Sequence, residues 1–149
     1  MHSVRNVIQI RRPVAQVFAF ATTPGNWPRW HPASLSVTGA VDHPLEVGEQ
    51  VTEEFQYGGR RGTVVWTVRR RESPHVWSID TEAADGTSAT ITYTLTPGPD
   101  GGTTFQRDLV FTALNLQVDW ALIGPLVEQQ SAEALDRLKA VLEAPEVQA

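Results

Sequence analysis

The feature that most constrains the fold is a change of period near the end of the chain. From Val118 to Ala144 apolar residues recur at helical spacing, with Ile123, Val127, Ala134, Leu138 and Val141 on one face and Leu135 and Leu142 beside it. Glu128, Glu133, Asp136, Arg137 and Lys139 fall elsewhere on the helix. Most of the chain before this tail alternates with period two, the pattern of half-buried strands. One long helix after a run of strands buries its apolar stripe only if the sheet wraps it, and a curved sheet around a single helix readily leaves a cavity. Gly124-Pro125 either kinks this helix or marks its beginning; both remain open.

The strands are bounded by turn residues. Val4 to Arg11 alternates with Val4, Asn6, Ile8 and Ile10 on one side. Pro13 suits the first turn of a short helix carrying Val14, Val17, Phe18 and Ala21, which Pro24-Gly25-Asn26 ends. A weak strand at Leu35–Val41 follows, then Gln50–Tyr57, a Gly58-Gly59 hairpin turn and Gly62–Arg71. Ser73-Pro74 leads into His75–Thr81, Asp85-Gly86 into Ser88–Thr96, and the stretch 97–102 into Thr103–Thr112. Tight turns between neighbours imply antiparallel pairing.

Composition limits what such a chain does. Its 149 residues suit one domain, 1–149, with 41% hydrophobic and 19% charged residues. A formal charge of −5 argues against a nucleic-acid partner, since phosphate contacts need a surplus of Lys and Arg. The run Arg69-Arg70-Arg71 reads as a solvated strand end. Without cysteine there is no disulfide, thiolate nucleophile or cysteine-rich zinc site. No apolar run approaches the roughly 20 residues that cross a bilayer, so no membrane insertion is expected, and a cytoplasmic location is the default.

Sequence motifs exclude further chemistry. His2, His31, His43 and His75 lack the spacing of a helical metal pair, so neither a metal nor another cofactor is expected. Gly58-Gly59 and Gly101-Gly102 sit in hairpins rather than phosphate loops. Ser34, Ser36, Ser73 and Ser88 lie in no nucleophile elbow. The segment Trp27-Pro28-Arg29-Trp30-His31-Pro32 permits only a short helical turn and reads as mainly structural, with at least one of the two Trp rings buried.

The order is strand, two short helices, a run of antiparallel strands and one long helix. With Ile8–Phe18, Asn26–Pro32, Leu45–Glu49, Glu72-Ser73-Pro74 and Gly101-Gly102-Thr103, it resembles the helix-grip fold of the START-like (SRPBCC) superfamily. Within it, the chain looks most like the bacterial polyketide cyclase/dehydrase-type family. The resemblance implies an α+β fold in which a curved antiparallel sheet of six to seven strands wraps the C-terminal helix, with two short helices after the first strand. Members include cyclases, lipid carriers and proteins without an assigned role, so the site must carry the functional argument.

Strand parity selects the candidate site. Glu53 shares the inner side of its strand with Val51, Phe55 and Tyr57; Arg107 shares that of Phe105, Leu109 and Phe111. A charge on an apolar face is costly unless it is paired or meets a polar guest. Either the two pair with each other or reach a strand end, or Arg107 binds a carboxylate, enolate or phenolate while Glu53 moves a proton. Trp66 and Trp77 read as core or as cavity wall, and Tyr57 and Tyr93 as satisfied hydroxyls or ligand contacts. Phe55, Phe105, Leu109 and Val127 complete an apolar lining, with Gln130 and His31 as further polar contacts.

Three functions fit. The first is binding of a small hydrophobic or aromatic molecule between sheet and helix. The second, implied by the resemblance, is a cyclase or dehydratase acting on a poly-β-ketone or related aromatic precursor. The third is a protein-interaction role like that of heat-shock ATPase activator homologues of this fold. A monomer or a homodimer suits each of them.

Overall fold

The half-buried first strand, β1 (His2–Ile10), forms one edge of the sheet and pairs with the last strand, β7 (Thr103–Phe111), more than ninety residues away in sequence. The computed structural model describes residues 2–82, 88–112 and 120–145. The Asp85-Gly86 turn, the helix start expected at Val118 and the Ile123 side chain lie outside the described residues.

Between β1 and β7 run α1 (Val14–Ala21), α2 (Trp27–Trp30), β2 (Ser34–Gly39), β3 (Gln50–Tyr57), β4 (Arg60–Glu72), β5 (Val76–Glu82) and β6 (Ser88–Pro97). All pairs are antiparallel, in one seven-stranded sheet of order β1-β7-β6-β5-β4-β3-β2. The β3–β4 hairpin turns through Gly58-Gly59, where Gly58 takes φ +61°, a conformation that favours glycine.

The terminal helix α3 (Trp120–Glu143) runs continuously through Pro125, so it begins before Gly124-Pro125. Val127, Ser131, Ala134, Leu135, Leu138 and Leu142 are buried, whereas Val141 is only half-buried. Leu142 rather than Val141 therefore continues the stripe. Ser131, which the apolar pattern passes over, lies at its centre. Among the described residues no helix is long and apolar enough to cross a membrane.

Two register shifts alter strand parity. One lies between Ser34 and Ser36 in β2, the other between Val68 and Arg70 in β4. After the second shift Arg71 faces Trp77, with its guanidinium 5.7 Å from the Phe18 ring centre. Arg69 pairs with Asp80, and Arg70 with Glu72, both largely in solvent. The arginine run is thus a solvated strand end for its first two members only.

Candidate functional site

The inner face of the sheet and α3 enclose two regions of different character. Towards the helix C-terminus, Leu135, Leu138 and Leu142 belong to a packed core with Ile10, Leu95 and Phe105. Nearer Val127 the walls separate and leave a cavity of about 550 Å³, within the range of small-molecule sites. Its lining comes from α2 and the residues after it (Trp27, Trp30, His31, Ala33), from β2–β4 (Ser34, Glu53, Phe55, Tyr57, Val64, Trp66) and from β6–β7 (Ile91, Tyr93, Arg107, Leu109). Flat rings supply much of this surface.

Arg107 stands at the centre of one wall. It is register partner to Asn6 on β1 and to Tyr93 on β6. Only 5% of its surface is exposed, and no acidic group pairs with it among the described residues. One terminal nitrogen donates to Ser131 Oγ at 3.2 Å, and that hydroxyl donates to Asn6 Oδ1 at 2.6 Å. A guanidinium offers five N–H donors; Ser131 and the neighbouring Tyr93 hydroxyl engage part of this capacity, and the buried Nε–H is left without an acceptor.

Glu53 occupies the opposite wall, where Trp66 Nε1–H donates to its Oε1 at 3.0 Å. Ser34 Oγ lies beside this carboxyl without a hydrogen bond of good geometry. Burial raises the Glu53 pKa above the usual carboxylate range, against the opposing effects of Trp66, Ser34 and the Arg107 charge. Arg107 and Glu53 both line the cavity but do not touch.

His31 is buried against the same space. Desolvation, followed by the charges of Arg107 and Arg137, holds its pKa well below the ordinary histidine value. Its Nδ1 accepts the Ala33 N–H at 3.1 Å, so the neutral ring carries its proton on Nε2. The Tyr57 and Tyr93 hydroxyls also face the cavity, and burial raises the pKa of each. Among the described residues no group of His, Asp and Glu is placed to hold a metal ion.

Of the residues singled out from the sequence, Glu53, Arg107, Phe55, Tyr57, Trp66, Tyr93, Leu109, Val127 and His31 line the cavity. Trp77, Phe105 and Gln130 do not. Trp77 is wholly buried, edge-on to Trp27 at 6.3 Å between ring centres, and donates Nε1–H to the Leu45 carbonyl at 3.2 Å. Phe105 packs behind Tyr93, 5.1 Å between ring centres. Gln130 is half-buried on α3, and its neighbour Ser131 is the residue that meets Arg107. Both Trp27 and Trp30 are buried, 4% and 1% exposed, yet each presents an edge to the cavity. Trp27 Nε1–H is satisfied by the Ala21 carbonyl at 2.9 Å, whereas Trp30 Nε1 has no partner.

The fold recurs in solved structures. The protein TTHA0849 of Thermus thermophilus superposes with a TM-score of 0.76 at 14% identity, covering 93% of this chain and 95% of that one. CV1439 of Chromobacterium violaceum gives 0.75 at 16% identity, covering 97% and 99%. The major latex-like protein 151 of Panax ginseng gives 0.69 at 11% identity, covering 96% and 98%. At these identities the likeness is one of fold. None of the curated proteins matches the chain in sequence. Residues 1–143 match the family described as polyketide cyclase/dehydrase and lipid transport, and with its helix-grip sheet the chain belongs to that family within the START-like superfamily.

Proposed function

We propose that this protein binds a small, mainly apolar molecule with an aromatic body in the cavity, and that Arg107 orients the polar group of that guest. The observation that carries this reading is a buried guanidinium with no acidic partner on the wall of an aromatic cavity. A buried charge of this kind is costly until a counter-group arrives, and a carboxylate, enolate or phenolate supplies one. Trp27, Trp30 and Trp66 line the same space, so their emission reports occupancy. Naphthalene and 2-naphthoate are each expected to bind saturably at one site. Arg107→Leu should weaken 2-naphthoate by about 1.5–3 kcal/mol and naphthalene far less, because naphthalene depends on buried area. Absence of saturable binding by either probe would overturn the reading.

A second reading, turnover of the cyclase or dehydratase type, is favoured by a carboxyl whose pKa burial raises, lining the same cavity as a buried cation. In that chemistry Arg107 stabilises an enolate, and Glu53 or His31 moves the proton. Incubation with short poly-β-ketone thioesters, followed by aromatic absorbance, tests it. Glu53→Gln should slow product formation by about 100-fold or more. An unchanged rate in that variant removes Glu53 from the chemistry.

A further inference from the structure

We propose that the cavity recognises its guest at two ends: an anionic or carbonyl oxygen held by Arg107, and an O–H or N–H donor held by the Glu53 carboxyl, with a flat apolar body between them. This rests on the binding reading above and adds a second, donor-selecting pole to it.

Arg107 is on β7, the strand next to the β1 edge; Glu53 is on β3, the strand next to the β2 edge. On a flat sheet they would be far apart. The curl of the sheet brings both to one cavity, on facing walls. Each is held by the protein: Arg107 by Ser131 on α3 at 3.2 Å, Glu53 by Trp66 on the neighbouring strand β4 at 3.0 Å. They make no bond to each other, yet the charge of one still acts on the other. Both therefore open onto one cavity, and no hydrogen bond of either group is to a partner the other shares.

Two buried groups of opposite sign, each tethered to a different protein partner and not paired with each other, bear desolvation without the compensation of an ion pair. A purely apolar guest leaves both stranded. An anion alone satisfies Arg107 and lies near the Glu53 carboxyl, where it adds repulsion. A guest with an acceptor at one end and a donor at the other satisfies both. Of the other ionisable or hydroxyl groups lining the cavity, His31 is a neutral ring presenting N–H, Arg61 donates its Nε–H to Gln56 Oε1 at 3.2 Å, and the hydroxyls of Ser34, Tyr57 and Tyr93 are weaker, neutral acceptors. Glu53 is the strong acceptor of this cavity.

The test is equilibrium titration of naphthalene, 2-naphthoate and the set of 2-naphthoate isomers carrying one hydroxyl at each free ring position. At least one hydroxy isomer should bind about tenfold or more tightly than 2-naphthoate, the ratio a charge-assisted hydrogen bond supports. Glu53→Leu should abolish that gain without weakening naphthalene or 2-naphthoate. Glu53→Gln, which keeps an acceptor for the Trp66 N–H, should reduce the gain by a smaller factor. Naphthalene affinity reports that each variant is folded. If no isomer improves on 2-naphthoate, or the gain survives in Glu53→Leu, the second pole is overturned while the binding reading stands. If none of the probes binds, both fall together.

Discussion

Gly62 on β4 and Phe55 on β3 are cross-strand partners, and the Phe55 ring occupies the place of a side chain at position 62. A Cβ built on Gly62 would meet Phe55 Cζ at 2.4 Å, well inside contact distance. The missing side chain lets the ring lie flat on the sheet, where it forms part of the cavity wall.

Gly62→Ala should therefore drive the Phe55 ring off β4 and into the cavity. Overpacking of this kind costs about 1–3 kcal/mol, and the displaced ring takes up guest volume. The expected result is a lower thermal midpoint together with weaker naphthalene binding. The double variant Gly62→Ala with Phe55→Ala should recover binding, since it removes the displaced ring. Naphthalene affinity unchanged in the single variant would show that Phe55 relaxes away from the cavity.

The aromatic turn at Trp27–Pro32 is expected to act mainly through packing. Trp30 is 1% exposed and sits 6.2 Å from Tyr93 between ring centres. Removing such a ring costs about 3–5 kcal/mol. In a domain of this size Trp30→Ala should then lower the thermal midpoint by roughly 6–20 °C. An unchanged midpoint with abolished probe binding would falsify the structural assignment and make the turn a ligand-gripping device.

The face of each strand was legible in the sequence, and the depth of each side chain was not. Alternation places Glu53, Arg107, Trp77 and Phe105 on the inner side alike, but only the first two reach the cavity. What separates them is coverage by remote segments: Trp27 and the Leu45 carbonyl close over Trp77. Period also fails where the backbone slips, which is why Arg71 turns inward after the shift between Val68 and Arg70. Ser131 is a different case. Helical spacing does put it on the stripe, four residues after Val127 and three before Ala134. A small polar residue there carries no apolar signal, and nothing in the spacing ties it to an arginine on a distant strand.

Ser131 links three elements, since its hydroxyl accepts from Arg107 on β7 and donates to Asn6 on β1 from its own place on α3. Ser131→Ala removes both bonds and leaves the Asn6 carbonyl and the guanidinium unsatisfied. The expected loss is about 1–3 kcal/mol in urea unfolding. Because Arg107 also loses its tether, 2-naphthoate should weaken more than naphthalene. Equal weakening of the two would mean that Ser131 acts only through helix docking.

His31 sets the sign of the acid stability of this protein. The folded state holds this ring neutral, with a pKa well below the ordinary value near 6.5, because burial and the Arg107 charge oppose protonation. The unfolded chain takes up its proton as pH falls through that ordinary value, while the folded chain resists until lower pH. Between the two, the unfolded state binds more protons, so stability is lost as pH falls. His43 works the other way: hydrogen bonds to Asp42 and Glu49 raise its pKa, so its contribution is present in acid and fades as pH rises. His43 is on the surface, whereas His31 is enclosed, and the buried ring should dominate. His31→Asn keeps a side-chain acceptor for the Ala33 N–H and removes the titration. The thermal midpoint of the wild-type protein should fall between pH 7 and about pH 5, and that of His31→Asn should fall less over the same interval. His43→Gln should make the acid decline steeper. Parallel midpoint curves for wild type and His31→Asn would show that His31 accepts its proton without cost, and that the interior around Arg107 is more open to solvent than its burial implies.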